Sequence, residues 1–583
     1  MVLLYVVFHI FSLQLYTILI LNTVVQNSLK SSYLLLNMCG IYFYKYLSGQ
    51  KIDVNKMTAY FNRIKHRGPD KSVSEVLEDD TFIGFHRLAI NGLSHMGDQP
   101  FIYEKESGGH VYVICNGEIY NYRDLNEKYE LELEEGESDC AVIYPLFEKL
   151  GLEKMITLLD GVFAFVIYDS EDGSVYAGRD PIGVRPLFYG ADENQIAFCS
   201  EGKGICELMD VVPFPAGSYY MNGRVERFFS IDEYRDVSPN PYLSLVSDSS
   251  IYHMVEKVFR RAVVKRLLSE RPIGCLLSGG LDSSLVAAIV QEEMKKNGKC
   301  VNTYSIGFKG SPDLEKARVV AKYIGSKHHE VIMNLKDIEK RIPEIILQLE
   351  TWDTTTIRAS IGMFLLSEYI SQKTEDVVIF SGEGADELCQ GYLYFHRQPS
   401  PASGTEESFR LMNQLYMYDV LRADRTTAGH GLELRVPFLD KEFMKLISSL
   451  SSRKVCPRNG VEKYLIRRSF QSSGLLPDEI LWRTKEAFSD GVSSVKNNWL
   501  DKLKTMTASV ISDESFEKFK EKCVHSPPRT KEEMYYRQIY NAFYNNDKWI
   551  PKYWMPMWSG ETIDPSARTL NIYQKYTENE IEK

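Results

Sequence analysis

The 583-residue chain has 10 cysteines but no CxxC pair and no Cys/His cluster with zinc-finger spacing. A structural zinc site is therefore not expected, and scattered thiols fit a reducing compartment such as the cytoplasm. Basic charge is not in excess: 68 Lys+Arg against 79 Asp+Glu leave a formal net charge of −11. That excludes a broad electrostatic footprint for nucleic acid. There is no internal repeat or low-complexity block, and neither GxxxxGK[ST] nor GxGxxG occurs. Hydrophobic residues at 44% and charged residues at 25% are ordinary globular proportions. A disordered chain, a collagen-like repeat and a polytopic membrane protein are excluded with them.

Long apolar runs are missing except at the N-terminus. Met1 to Leu36 is mostly apolar, with Lys30 as its one Lys or Arg. A run of about 20 apolar residues can span a bilayer, but His9, Ser12 and Gln14 weaken this one. A secretory signal would carry a basic first region and a small-residue cleavage site. The reading adopted is that translation starts at Met38 and that residues 1–38 are absent from, or removed in, the mature protein. Membrane association is expected only if residues 1–36 are retained.

From Cys39 to Phe229, β-branched and aromatic runs are bounded by Gly, Asn, Asp or Pro. Strands are expected at 83–90, 110–115, 162–168 and 195–199, and a helix at 140–150. A polar stretch at 237–250 looks like a linker. Beyond it, strands at 273–277, 301–308, 329–333 and 377–380 alternate with helical spacing at 250–268, 285–296 and 313–324. Such alternation argues for a parallel sheet wrapped by helices. From Leu411 the pattern is mainly helical, with a polar tail at 569–583.

Leu277-Ser278-Gly279-Gly280-Leu281-Asp282-Ser283-Ser284 lies between an apolar strand and a helix. Glycines let backbone N–H groups approach an anion, serines add donors, and a helix N-terminus is partly positive. A phosphate would suit this loop. Asp282 would repel phosphate unless Mg²⁺ lay between them, since hard cations take carboxylate and phosphate oxygens together. A second loop, Ser381-Gly382-Glu383-Gly384-Ala385-Asp386-Glu387, also follows a strand. Ligands of open α/β sheets lie outside the carboxyl ends of strands, where both loops fall. The two loops resemble those of the N-type ATP pyrophosphatases, which cleave ATP between its α and β phosphates.

Were Met38 removed, Cys39 would carry a free α-amine beside its thiol. With reference pKa values of about 7.7–8.0 and about 8.5, they form a nucleophile with its own base. Met38-Cys39-Gly40-Ile41, His66-Arg67-Gly68-Pro69-Asp70, His86-Arg87-Leu88-Ala89-Ile90-Asn91, Asn116-Gly117-Glu118-Ile119-Tyr120-Asn121, Glu137-Ser138-Asp139-Cys140 and Arg179-Asp180-Pro181-Ile182-Gly183-Val184-Arg185-Pro186-Leu187 occur in that order. Together they resemble the class II glutamine amidotransferase domain. With the ATP pyrophosphatase loops, and with Thr354-Thr355-Thr356-Ile357-Arg358, Glu433-Leu434-Arg435-Val436-Pro437-Phe438-Leu439-Asp440 and Trp482-Arg483-Thr484-Lys485-Glu486-Ala487, the chain is similar to the glutamine-hydrolysing asparagine synthetases.

The resemblance implies an α/β with α+β architecture. Residues 39–235 would form an Ntn-hydrolase type β-rich sandwich covered by helices. Residues 236–568 would form a parallel α/β sheet of the ATP pyrophosphatase type with helical additions. It implies that Cys39 attacks glutamine, with Asn116 and Gly117 as the oxyanion hole. Arg87, Asn91, Glu118 and Asp139 would hold the rest of that substrate. ATP would lie on Leu277, Ser278, Gly280, Asp282, Ser283, Ser284, Ile306, Ser381 and Gly382, with Mg²⁺ on Asp282 and Asp386. Glu383 would be the base for ammonia attack, and Thr355, Arg358 and Lys485 would meet phosphate or acyl-adenylate charge. Glutamine, aspartate and ATP are the implied substrates, and a homodimer is the implied assembly. If the extension is retained, the amine of Cys39 is an amide, and the expectation becomes an ammonia-dependent enzyme. The family commonly has Gly-Gly-Tyr where this chain has Gln390-Gly391-Tyr392, which could reshape the second loop.

Overall fold

The computed structural model describes residues 39–236, 246–486, 488–493 and 498–570. Segment 1–38, most of the 237–250 stretch and most of the tail lie outside the described residues. Among the described residues, no helix is long and apolar enough to cross a membrane.

The first half builds β1 (Gly40–Tyr46), β2 (Lys71–Leu77), β3 (Thr81–Arg87), β4 (Phe101–Glu104), β5 (His110–Ile119), β6 (Gly161–Asp169), β7 (Val175–Arg179), β8 (Phe188–Ala191), β9 (Gln195–Cys199), β10 (Val212–Pro213), β11 (Ser218–Met221) and β12 (Arg224–Arg227). They form two facing sheets, ordered β10-β8-β9-β1-β3-β2 and β12-β11-β7-β6-β5-β4. Alternate residues of β1 divide between two cores. Ile41 and Phe43 pack between the sheets with Phe85, Ile114, Val166 and Phe198, whereas Tyr42 and Tyr44 join Phe61 and Phe82 on the outer face. The outer face of the second sheet, with Val113, Phe163 and Phe165, is covered by helices Tyr122–Tyr129, Ile143–Leu150 and Leu152–Leu158. Cover on both faces explains why β1, β3 and β6 read as nearly unbroken apolar runs. Each large side chain so buried contributes about 1.5–3 kcal/mol. The expected helix-covered sandwich is thus present.

The second half builds β13 (Ile273–Leu276), β14 (Asn302–Gly307), β15 (Lys327–Ile332), β16 (Val378–Phe380) and β17 (Glu433–Arg435). They run parallel in the order β15-β14-β13-β16-β17. The chain leaves β13 toward one edge and returns through β16 on its other side. The resulting switch point opens a crevice at the carboxyl ends of β13, β14 and β16. The crossovers are the helices Leu281–Lys296 and Pro312–Ile324, then Leu335–Leu349 and Thr354–Lys373.

Three differences from expectation bear on the site. The strand expected to reach Ile90 ends at Arg87, because the next amides bond elsewhere: Leu88 N to Cys39 Sγ at 3.3 Å and Ala89 N to Asp70 Oδ2 at 2.9 Å. The helix expected from 285 starts at Leu281, with Gly280 as its cap, so Asp282 sits in its first turn. The largely helical region after Leu411 contains β17, a three-residue edge strand.

Candidate active site

The loop at 278–283 is held in shape by its own serines. Ser278 N donates to Ser283 Oγ at 3.2 Å, and Gly280 N to Ser278 Oγ at 3.3 Å. Gly279 adopts φ +73°, a left-handed conformation that suits glycine. The second loop packs directly on the first: a Cβ on Gly382 would lie 2.8 Å from Ser283 N and 2.9 Å from Asp282 Cβ. Only glycine permits that approach, and it brings both loops into one wall.

They line one cavity. Leu277, Ser278, Gly280, Asp282, Ser283, Ile306, Ser381, Gly382, Glu383 and Asp386 line it, as do Thr355, Arg358 and Lys485. Ser284 does not: it is fully buried one residue further along the helix, with a hydroxyl that has no hydrogen-bond partner. Arg358 lines the wall with a guanidinium already gripped by two carboxylates, Glu532 at 2.7 Å and Asp564 at 2.9 Å.

Lys463, a residue with no expected role, lies at the centre of the floor. Its Nζ bridges Asp282 Oδ2 and Asp386 Oδ1, each at 2.5 Å, while Lys485 Nζ meets Asp386 Oδ2 at 2.6 Å. Burial opposes the Asp386 carboxylate, but the two lysines outweigh it and hold the group well below the usual carboxylate range. Burial also opposes the Lys485 ammonium, and Asp386 and Asp282 outweigh it in turn. Asp282 Oδ1 remains buried without a hydrogen-bond partner, a hard oxygen donor suited to Mg²⁺ shared with phosphate. Glu383 pairs with Arg422 at 2.8 Å. Burial raises its proton affinity, Arg422 opposes and Asp419 adds, the direction that suits a carboxylate to accepting a proton. Gln390 is buried at φ +52° with neither amide atom hydrogen-bonded, yet Asp386 still faces the cavity and Glu387 accepts from Tyr392 Oη at 2.6 Å.

The second cluster forms where β1, β3 and β5 meet. Cys39 Sγ donates to Leu88 O and accepts from Leu88 N, both at 3.3 Å. Burial pushes the thiol up to about 12; the Leu88 bond opposes, while Glu433 and Glu118 add to the rise. Such a thiol needs an adjacent base to become a nucleophile. Asn116 is buried with its Nδ2 unpaired, a donor free to meet an oxyanion. A side chain on Gly117 would overlap the Val162 carbonyl and Phe163. Asn91 Nδ2 donates to Glu118 Oε2 at 2.6 Å, and Asp139 Oδ2 accepts from Ile119 N at 2.5 Å. Burial, with Asp139 and Glu433 nearby, raises Glu118 far above its usual range; burial raises Asp139 to about 6. Arg87 is turned onto loop 92–98, donating to Ser94 O at 2.8 Å, Asp98 Oδ1 at 2.6 Å and Gly92 O.

The two clusters share a buried, charged boundary. Arg67 donates to Cys39 O at 3.0 Å and pairs with both Glu201 (2.7 Å) and Asp424 (3.0 Å). Arg425 meets Glu350 at 2.9 Å, and Arg266 meets Asp440 at 2.7 Å.

Two family models match the chain: a glutamine amidotransferase domain over residues 38–221 and asparagine synthase over residues 254–410 and 400–568. The glutamine-hydrolysing asparagine synthetase of Gallus gallus is 46% identical over 564 residues, covering 92% of this chain and 99% of that protein. The same enzyme of Rattus norvegicus is 44% identical over 571 residues, and that of Homo sapiens 43% over 564 residues, each with the same two coverages.

Proposed function

Since this chain belongs to the asparagine synthetase family, we propose that it makes L-asparagine from L-aspartate, with ATP as the activating substrate and L-glutamine as nitrogen donor. The observation that carries the reading is the pairing of one cavity, floored by Asp282, Asp386, Lys463 and Lys485, with a second cluster that holds the part-buried Cys39 thiol, Glu118 and an unpaired Asn116 amide.

In this reading Cys39 Sγ attacks the glutamine carboxamide carbon, with the α-amine of a mature chain beginning at Cys39 taking the thiol proton. Asn116 Nδ2 and the Gly117 N–H stabilise the oxyanion, and Glu118 and Asp139 receive the substrate ammonium. Arg87 takes the α-carboxylate through its guanidinium fork once it yields its contacts in loop 92–98. Collapse of the oxyanion intermediate expels ammonia, which takes the proton from the α-amine, and water then hydrolyses the remaining thioester to glutamate and the free thiol. In the cavity the aspartate side-chain carboxylate attacks the α-phosphorus of ATP, giving β-aspartyl-AMP and pyrophosphate. Lys463, Lys485 and the N–H groups of loop 278–283 balance the phosphate charge, with Leu277 and Ile306 against the base and ribose. Mg²⁺ held by Asp282 and Asp386 would neutralise further phosphate charge. Glu383 takes a proton as ammonia attacks the acyl adenylate, and asparagine and AMP leave. The same reading places the enzyme in the cytoplasm as a homodimer, with domains at 39–235 and 236–568.

The test is asparagine formation from labelled aspartate with glutamine or ammonium as donor, alongside N-terminal sequencing of the natural protein. Product with both donors and a chain starting at Cys39 are expected. Product with ammonium alone would move the reading to an ammonia-dependent enzyme, and no AMP or pyrophosphate with either donor would sink it.

A further inference from the structure

β17 belongs to the synthetase half, yet it ends inside the glutamine cluster. The Arg435 carbonyl accepts from Ser381 N at 2.9 Å, which ties the strand to the nucleotide loop. From the same residue the guanidinium runs the other way. Its Nη2 reaches Glu118 Oε2 at 3.3 Å, its Nε pairs with Glu433, and its Nη1 donates to the Arg266 and Leu268 carbonyls, each at 3.1 Å. It also lies 5.4 Å from the centre of the Tyr120 ring. Arg435 is fully buried, so none of these contacts is a solvated surface pair.

We propose that Arg435 is a positioning residue for the glutamine site, supplied by the synthetase half, and that it aims Glu118 and favours its charged form for the substrate ammonium. This rests on the glutamine reading given above. Three carboxylates, Glu118, Asp139 and Glu433, converge at this point. The cations facing Glu118 are Arg435 from β17 and Arg185 from the loop after β7, with Asn91 as a neutral donor. Arg185 also faces Glu433 at 3.4 Å and Asp424 at 3.8 Å, so its charge is shared. Without Arg435, Glu118, whose proton affinity burial, Asp139 and Glu433 already raise, would hold its proton more tightly still, so charging it for the substrate ammonium would cost more, and Glu433 would lose its nearest counter-charge. The sign follows: removing a neighbouring cation raises the proton affinity of a carboxylate, so the charged form needs higher pH.

The experiment is calorimetric binding of glutamine to the full chain carrying Cys39→Ala, which separates binding from hydrolysis. It compares that parent with added Arg435→Met, Arg435→Lys or Glu433→Gln from about pH 5.5 to about 8, where carboxylates raised by burial titrate. Arg435→Met should weaken binding about tenfold or more at neutral pH, with recovery toward high pH, as expected for losing one charged hydrogen-bonded contact. Arg435→Lys should restore most of the affinity, and Glu433→Gln should move the acid limb to lower pH. Unchanged affinity and pH profile in a folded Arg435→Met variant would overturn the proposal. A uniform loss that lysine does not rescue, with the pH profile unmoved, would overturn it too. If Arg435→Met does not fold, the Glu433→Gln variant decides: an acid limb that does not move goes against the proposal. A parent that binds no glutamine removes the glutamine reading itself, which is a different result from a parent that binds and is indifferent to Arg435.

Discussion

The two clusters treat buried charge in opposite ways. On the cavity floor two carboxylates, Asp282 and Asp386, face two ammonium groups, Lys463 and Lys485. In the thiol cluster Glu118, Asp139 and Glu433 crowd around Arg435 and a shared Arg185. The first is balanced, and its Asp386 is held firmly ionised. The second carries surplus carboxylate, and its acids cling to protons. The difference matches the substrates assigned to each. A site for phosphate must bring its own cations, whereas a site for an amino acid's ammonium can leave a cation position for the ligand to fill. A surplus of buried carboxylate costs stability while the site is empty and becomes binding energy when it is filled.

Four substitutions sharpen or break that comparison, beginning with the largest expected effect. Cys39→Ala should cut glutamine hydrolysis by more than about 10³-fold while ammonia-dependent synthesis survives, since nucleophile loss removes the whole covalent route. Parallel loss of both activities, assayed on one preparation, would mean the clusters are not separate sites. Lys463→Met should lower asparagine synthesis about 10²–10³-fold with either nitrogen donor and spare glutamine hydrolysis, because a preorganised cation is lost where phosphate charge develops. Pyrophosphate release measures it, and an unaffected rate would show that Lys463 merely neutralises the empty floor. Asn116→Ala should cost glutamine hydrolysis about 10²-fold in kcat with little change in KM, the usual consequence of losing one oxyanion donor. A change confined to KM would argue for a ground-state contact instead.

Asp139 provides the smallest and most informative effect. Its carboxyl is raised to about 6 in the folded protein, against about 3.9 for a free side chain. The folded state therefore binds this proton more tightly than the unfolded chain does. Burying the charged form costs stability at pH values above about 6, and the cost is relieved as pH falls from about 6 to about 4. Asp139→Asn should accordingly stabilise the glutamine-free protein by about 1–3 kcal/mol at neutral pH and weaken glutamine binding. Denaturant melts at pH 5 and pH 7.5, values chosen on either side of about 6, would check this, and equal destabilisation at both would contradict the charge argument. For the same reason the KM for glutamine should rise as pH drops through about 6.

The sequence was most legible where function demands local shape. Ser278 to Ser283 and Ser381 to Asp386 were readable because an anion loop needs glycine, serine and a helix start at adjacent positions, and all but Ser284 of the expected nucleotide residues line the cavity. Asn116, Gly117 and Glu118 were readable as a motif because they follow one another on β5. Lys463 was invisible. It follows Glu462 in a polar turn at φ +52°, and nothing within that segment hints at the carboxylates of Asp282 and Asp386. β17 was missed because Glu433-Leu434-Arg435 is three residues long with charge at both ends, too short for any alternation to register. The inward turn of Arg87 onto Gly92, Ser94 and Asp98 was also unreadable, since its acceptors are backbone carbonyls and a side chain placed by a folded loop.

By itself, then, the sequence determined the elements and the local chemistry: sandwich strands from aromatic and β-branched runs, parallel strands from apolar segments between helices, and the loops whose glycines and serines suit an anion. These depend on residues that are neighbours along the chain, so backbone sterics and short-range hydrogen bonding suffice to specify them. The tertiary structure decided which charges face one another. Lys463 meets Asp282 across 181 positions of sequence, and Arg435 crosses from one half of the chain to Glu118 in the other. Partnerships between buried charges are set by packing, because removal from water makes an unmatched charge costly and a matched one specific.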